Sequence, residues 1–438
     1  MSRKAIEMDL PFDRQPQHKK AIDYFTPLTK HVIAKNVYNR RRRRANPRGQ
    51  MRPEELFMTD LPAPTPFNTE TEDIPRRFVH VSTNKSKHAI YAVKWTPDAR
   101  RVVVSSYSGE FTIWNGFTFN FESIMQAHDF PIFSLEYSHN GKWLISGDQA
   151  GTIKYWQPNF NNVNILNKGH DNSIGDLKFS PGDAKFVSCS DDQTLKIWDF
   201  ATAKEERVLK GHHWDVKSCD WHSSLGLVVS GSKDNLVKLW DPRDSTCVTT
   251  LHDFKHTVNK TVFQKGGNER LFAACSRDHS TRVFDLRMLR CINIIKSENE
   301  ADLTSLSWHP VHSTTLTVGA YDGSLSHYNT SKTVDIESLK AVETGAFIKR
   351  FIPITTEASH SVPFAHEKAI HAIEYHPLGH MLCTASADKS MRFWCRGKPD
   401  DAASLKDVYH TGEENFMDDK DVTKVDDTNV SIPGLSIG

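Results

Sequence analysis

His212, Ser232 and Asp234 fall close together, with Trp240 just behind them. An imidazole, a hydroxyl and a carboxylate are the parts of a hydrolytic triad, in which the ring takes the hydroxyl proton and the acid orients the ring. His170, Asp192 and Trp198 repeat the set, as do His366, Asp388 and Trp394. A catalyst needs one such set; copies at constant spacing point instead to a structural device built many times. There is no phosphate-cradling loop and no convincing carboxylate cluster outside the repeated positions and the C-terminal tail. The chain is therefore expected to be no enzyme. Seven cysteines, an odd number without a Cys-x-x-Cys pair, suit small buried side chains in a reducing compartment. Neither a metal nor a cofactor is expected.

The spacing identifies the device. An aromatic residue followed by a polar residue or cysteine ends each unit: Trp114, Trp156, Trp198, Trp240, Phe284, Tyr328 and Trp394, at intervals of 42, 42, 42, 44, 44 and 66. His128, His170, His212, His256 and His366 each precede one of these by 28 residues, and Asp192, Asp234, Asp278, Asp322 and Asp388 by six. Ser108 and Ala150 stand where repeats one and two would carry the Asp, and repeat six has no His in register. Short β-rich runs such as Phe186–Cys189 and Leu195–Trp198, bounded by turns, fill the units. This pattern resembles WD40 propellers, which implies an all-β fold of seven four-stranded blades and a buried hydrogen-bond network for the His, Asp, Ser and Trp. No outer strand follows Trp394, so Arg77–Val81 is expected to supply it and clasp the ring shut.

The formal charge of +1 hides an asymmetry: residues 1–52 carry a net +10 and residues 399–438 a net −7. Three segments follow: a basic arm over 1–75, the propeller over 76–398, and an acidic tail over 399–438 that reads as disordered. The arm holds Lys19, Lys20 and the run Arg40, Arg41, Arg42, Arg43 and Arg44, with a helix predicted over roughly 29–44 and a Pro-rich linker behind it. The arginine run suits a nuclear import signal, or contact with RNA phosphates or an acidic partner. Aromatic residues among the basic ones (Phe12, Tyr24, Phe25) suit single-stranded RNA, because rings stack on bases while cations meet phosphates. No apolar run reaches membrane-spanning length and no secretory leader is expected. Between Tyr328 and His366 lie about 24 residues more than the repeat requires, an insertion over about 330–360 with Phe347, Ile348, Phe351, Ile352 and Ile354. It reads either as an irregular outer strand with a loop, or as a partner-docking insertion.

Residues between the repeat markers are more specific. Ser82–His88, Ser108–Asn115 and Phe119–Glu122 resemble the first blade of the WD-repeat subunit of the pre-mRNA cleavage and polyadenylation factor. Arg207–His222, Ser232–Arg243 and Pro377–His380 extend the likeness, which covers about residues 76–398 and is strongest to fungal members. The resemblance implies a nuclear, non-catalytic scaffold held by a large multi-propeller scaffold subunit beside a CCCH zinc-finger subunit. It would couple the poly(A) polymerase module to the pre-mRNA. In animal members the arm touches the AAUAAA signal through a Phe and a following Lys/Arg cluster. Here Phe12-Asp13 matches the start, Arg14-Gln15-Pro16-Gln17 replaces the cluster, and Lys19-Lys20 opens the next block. Phe12, Arg14, Lys19 and Lys20 are thus the RNA-binding candidates, without strict hexamer specificity. A second reading is a WD40 substrate receptor of a cullin-type ubiquitin ligase, because Trp240-Asp241-Pro242-Arg243 resembles the Trp-Asp-x-Arg signature of such receptors.

Overall fold

The computed structural model describes residues 74–83, 88–265, 269–297, 299–330 and 354–395. These residues form seven sheets, antiparallel but for one added strand. The inner strands, in chain order, are Ile90–Trp95, Ile132–Tyr137, Ile174–Phe179, Val216–Trp221, Val258–Phe263, Leu303–Trp308 and Ile370–Tyr375, and they number blades 1 to 7. Each inner strand packs against the next around the ring, with the blade 7 strand meeting that of blade 1. The expected seven-bladed, all-β propeller is the fold.

The core lies between blades. Ile145, Ile153 and Tyr155 of blade 2 meet Leu177, Phe179, Phe186 and Trp198 of blade 3 in one buried cluster. The blade 1–blade 7 seam is filled by Val93, Trp95, Val102 and Val104 against Met381, Cys383 and Phe393. Alternation along each strand sends one set of side chains to each neighbouring blade, so every blade is apolar on both faces and stable only within the ring. The aromatic that closes each repeat sits in the third strand: Trp198 stacks on Phe186 at 6.1 Å and 11°. Five of the seven cysteines are buried, whereas Cys247 is exposed on the outer strand of blade 4.

Arg77–Thr83 is the outer strand of blade 7 and pairs antiparallel with Ser390–Cys395, Arg77 opposite Cys395 and Thr83 opposite Ser390. The two ends of the propeller thus share one ladder, as the missing fourth strand predicts. The insertion has a form that its composition does not suggest. Ile354–Thr356 joins blade 5, running parallel to its outer strand Arg290–Lys296, with Asn293 opposite Ile354. The chain then crosses back, and His360–Val362 completes blade 6 beside Leu325–Asn329. Blade 5 therefore has five strands.

Candidate functional site

Strand direction alternates within a blade, so the loop entering each inner strand and the turn between second and third strands lie on one face, here the upper face. The loop delivers the histidine and the turn delivers the aspartate. In blade 3, His170 Nδ1 is 2.7 Å from Asp192 and Nε2 is 2.6 Å from Ser188 Oγ, while Trp198 Nε1 donates to the same Oγ at 2.8 Å. In blade 4 the distances are 2.8 Å for His212–Asp234, 2.7 Å for His212–Ser230 and 2.8 Å for Trp240–Ser230. In blade 7, His366 meets Asp388 at 2.9 Å and Thr384 at 2.8 Å, and Trp394 donates to Thr384 at 2.9 Å. The proton order is that of a hydrolase, with the ring donating to the acid and accepting from the hydroxyl. The hydroxyl differs: Ser188 and Ser230 are fully buried and each accepts an indole N–H, so no substrate carbonyl can approach.

Three details depart from the sequence reading. The hydroxyl of blade 4 is Ser230, not Ser232. Both lie on one side of the strand, two residues apart, but Ser232 is the strand's last residue and bonds the Asp215 carbonyl at 2.8 Å. Blade 2 keeps a full network although Ala150 occupies the expected acid position: Asp148, two residues earlier, meets His128 at 2.9 Å, and Ser146 completes it at 2.6 Å. His256 of blade 5 has the right spacing but is exposed. A small residue must precede the histidine because it lies on the tryptophan; a Cβ at Gly211 would stand 3.1 Å from Trp240. Lys255 does not fit there, Ala274 replaces the serine, and Phe254 fills the space against Phe284 at 6.1 Å.

Burial alone would raise the Asp192, Asp234 and Asp388 carboxyls. Hydrogen bonds from the paired histidines, with Thr194, Leu236 or Ser390 adding theirs, outweigh it and hold all three below the usual carboxylate range. Burial lowers His128 and His366 against the pull of their aspartates, which keeps these rings neutral near pH 7. The network bridges carboxylates and hydroxyls through buried rings, an arrangement suited to fastening loops.

The inner strands surround a channel of about 680 Å³. Their penultimate residues form a chain of opposite charges: Glu374 to Lys94 at 3.0 Å, Lys94 to Glu136 at 3.3 Å, and Glu136 to Lys178 at 2.6 Å. This chain ties blades 7, 1, 2 and 3, and Lys260 of blade 5 reaches Asp176 of blade 3. Burial would push Glu136 up, but Lys178 and Lys94 more than reverse it. Nearer the upper face, the second residues of three inner strands are Tyr91, Phe133 and His371. Blade 3 carries Gly175 there, where a Cβ would come within 2.7 Å of the Lys217 carbonyl oxygen.

Phe12, Arg14, Lys19, Lys20 and Arg40–Arg44 lie outside the described residues, as do the predicted helix and the acidic tail. The Asp-x-Arg site closes a strand-end turn, Arg243 N donating to Asp241 at 2.8 Å, and in the similar Phe284-Asp285-Leu286-Arg287 the Arg287 guanidinium pairs with Asp285 at 2.8 Å.

The family model for the WD domain, G-beta repeat, matches residues 119–157, 161–199, 203–241 and 359–395. Among curated proteins, the chain is 48% identical over 379 residues to polyadenylation factor subunit 2 of Candida albicans, spanning 83% of this chain and 69% of that protein. It is 52% identical to the Schizosaccharomyces pombe protein of that name over 408 residues, 92% of this chain and 78% of the relative. The Saccharomyces cerevisiae protein of that name is 47% identical over 411 residues, 92% and 81% of the two chains.

Proposed function

The chain belongs to the family of polyadenylation factor subunit 2, and on that basis we propose that it acts in polyadenylation as a non-catalytic scaffold of the nuclear 3′-end cleavage and polyadenylation complex. The observation that carries this reading is the identity of about half to relatives of that name over 83–92% of the chain. The site geometry is in keeping with it, because the His, Ser, Asp and Trp side chains that could do chemistry are consumed in fastening loops to strands.

In this role the ring bridges the large multi-propeller scaffold subunit, the CCCH zinc-finger subunit and the poly(A) polymerase module. The basic arm contacts the pre-mRNA through Phe12, Arg14, Lys19 and Lys20, and Arg40–Arg44 serve RNA contact, partner contact or nuclear import. The supports are the net +10 of residues 1–52 and the interleaved aromatic residues. Depleting the protein from a polyadenylation-competent extract should abolish poly(A) addition to a pre-cleaved RNA, and adding back the full chain should restore it. Unchanged addition after complete depletion would refute the role.

A further inference from the structure

The exposed large aromatic side chains are unevenly placed. Among the described residues, Tyr107, Phe130, Trp214, Tyr321 and Phe364 all lie in upper-face loops and turns, and only Phe117 lies on the opposite face. At the channel mouth the rings form a continuous cluster: Tyr91 stacks on His371 at 4.8 Å, meets Phe133 edge-on at 4.9 Å and lies 6.1 Å from Tyr107, and Tyr107 lies 6.3 Å from His88. Tyr107 is 48% exposed, and Tyr91, Phe133 and His371 are partly open to the mouth. Aromatic residues gathered at a concave opening are the usual anchors of a binding surface.

The charges around this mouth select the occupant. Lys217 is matched by Asp191 at 2.7 Å and Asp215 at 3.3 Å, Lys233 by Asp215 at 3.6 Å, and Arg277 by Asp302 at 2.9 Å. A phosphodiester chain would find its countercharges already taken. An uncharged apolar peptide loses nothing there. We propose that the mouth is the docking site of this chain's own uncharged C-terminal run, Ser431–Ile437. All ten Asp and Glu side chains of residues 399–438 lie between Asp400 and Asp427, and residues 428–438 carry no charged side chain. Ile432, Leu435 and Ile437 supply the run's large apolar side chains.

Reach supports this occupant over the other uncharged run near an end of the ring, Leu61–Thr69. Cys395 and Arg77 are paired at the end of blade 7 away from the mouth. A strand of six residues is about 20 Å long, and the way inward crosses three strand spacings, about 14 Å. Thr69 stands only five residues before Ile74, about 17 Å when taut, which falls short. Ser431 follows Cys395 by 36 residues; a random chain of that length spans about 35 Å, which matches the path and gives a millimolar effective concentration.

The test uses the chain without residues 430–438 and a fluorescein-labelled peptide of residues 429–438, read by anisotropy. The truncated chain should bind with a Kd of roughly 10–100 µM, and the full chain at least tenfold more weakly, because its mouth is filled. Tyr91→Ala and, as a surface change that leaves the core intact, Tyr107→Ser should each weaken binding to the truncated chain several-fold. Leu435→Asp in the peptide should abolish it. Absence of binding, equal binding to both chains, or indifference to both substitutions would overturn the proposal. So would displacement of the peptide by oligo(U), which would make the mouth an RNA site, or full-length dimers that dissociate on removing residues 430–438, which would place the run in a second copy.

Discussion

Ser230 holds two groups at once, accepting the Trp240 N–H and giving its proton to His212. Ser230→Ala leaves both nitrogens buried without that partner, and a loss on the order of 3 kcal/mol is expected in urea denaturation. Ser232→Ala should cost about 1 kcal/mol, because its hydroxyl serves backbone groups at the strand end; the reverse ranking would contradict the assignment. His327 supplies a pH dependence. Burial, with His360 and His309 adding to it, lowers this ring from 6.5 to about 3, and its Nε2 has no hydrogen-bond partner among the described residues. A lowered folded-state pKa means that the unfolded chain binds the proton first. The contribution is complete above about pH 6.5 and is lost as pH falls towards 3, with about 2 kcal/mol of it gone by pH 5. Denaturation midpoints of the parent and His327→Gln should therefore converge between pH 7 and 5. In blades 3, 4 and 7 the positions of His, Asp and aromatic were legible from spacing alone. The hydroxyl was legible too, as Ser146, Ser188, Ser230 and Thr384 each stand ten residues before the indole, but a neighbouring serine two residues away, on the same side of the strand, drew the assignment. Asp148 was hidden because a turn can present a carboxylate from either of two nearby positions.

At the scale of elements, the closing strand decides whether the ring is a ring. Deleting residues 1–73 leaves Arg77–Thr83 on Ser390–Cys395 and should leave the melting temperature nearly unchanged. Deleting residues 1–83 removes Val79 from the seam with blade 1 and bares an edge beside Phe393, so soluble yield should fall and aggregates should appear by size-exclusion chromatography. Equal behaviour of the two truncations would mean that the clasp contributes little. This strand could be read from the chain because the last repeat lacks its fourth strand and a β-rich run waits before the first. The fifth strand of blade 5 could not: Ile354–Thr356 pairs in parallel with residues 293–295 of another repeat, and three residues carry no periodicity of their own. The apolar residues counted in the insertion included Ile354, but nothing local said which blade would take it.

For the whole molecule, a nearly neutral ring lies between two terminal segments of opposite charge. If the basic arm supplies the RNA contacts, removing residues 1–52 should abolish most binding to single-stranded RNA, and each lost phosphate contact should lower the salt slope by roughly 0.7. Undiminished binding would move the RNA site to the propeller. The inner wall of the ring has a test of its own. Glu136→Gln leaves Lys178 without its carboxylate and should destabilise the chain by on the order of 2 kcal/mol, measured by thermal or urea unfolding. The central claim concerns company, since a scaffold is defined by what it holds. The most direct measurement is purification of the tagged full-length chain from nuclear extract, with mass spectrometry of what remains bound. The account predicts stoichiometric recovery of a multi-propeller scaffold subunit, a CCCH zinc-finger subunit and a poly(A) polymerase. Recovery of a cullin adaptor in their place would contradict it.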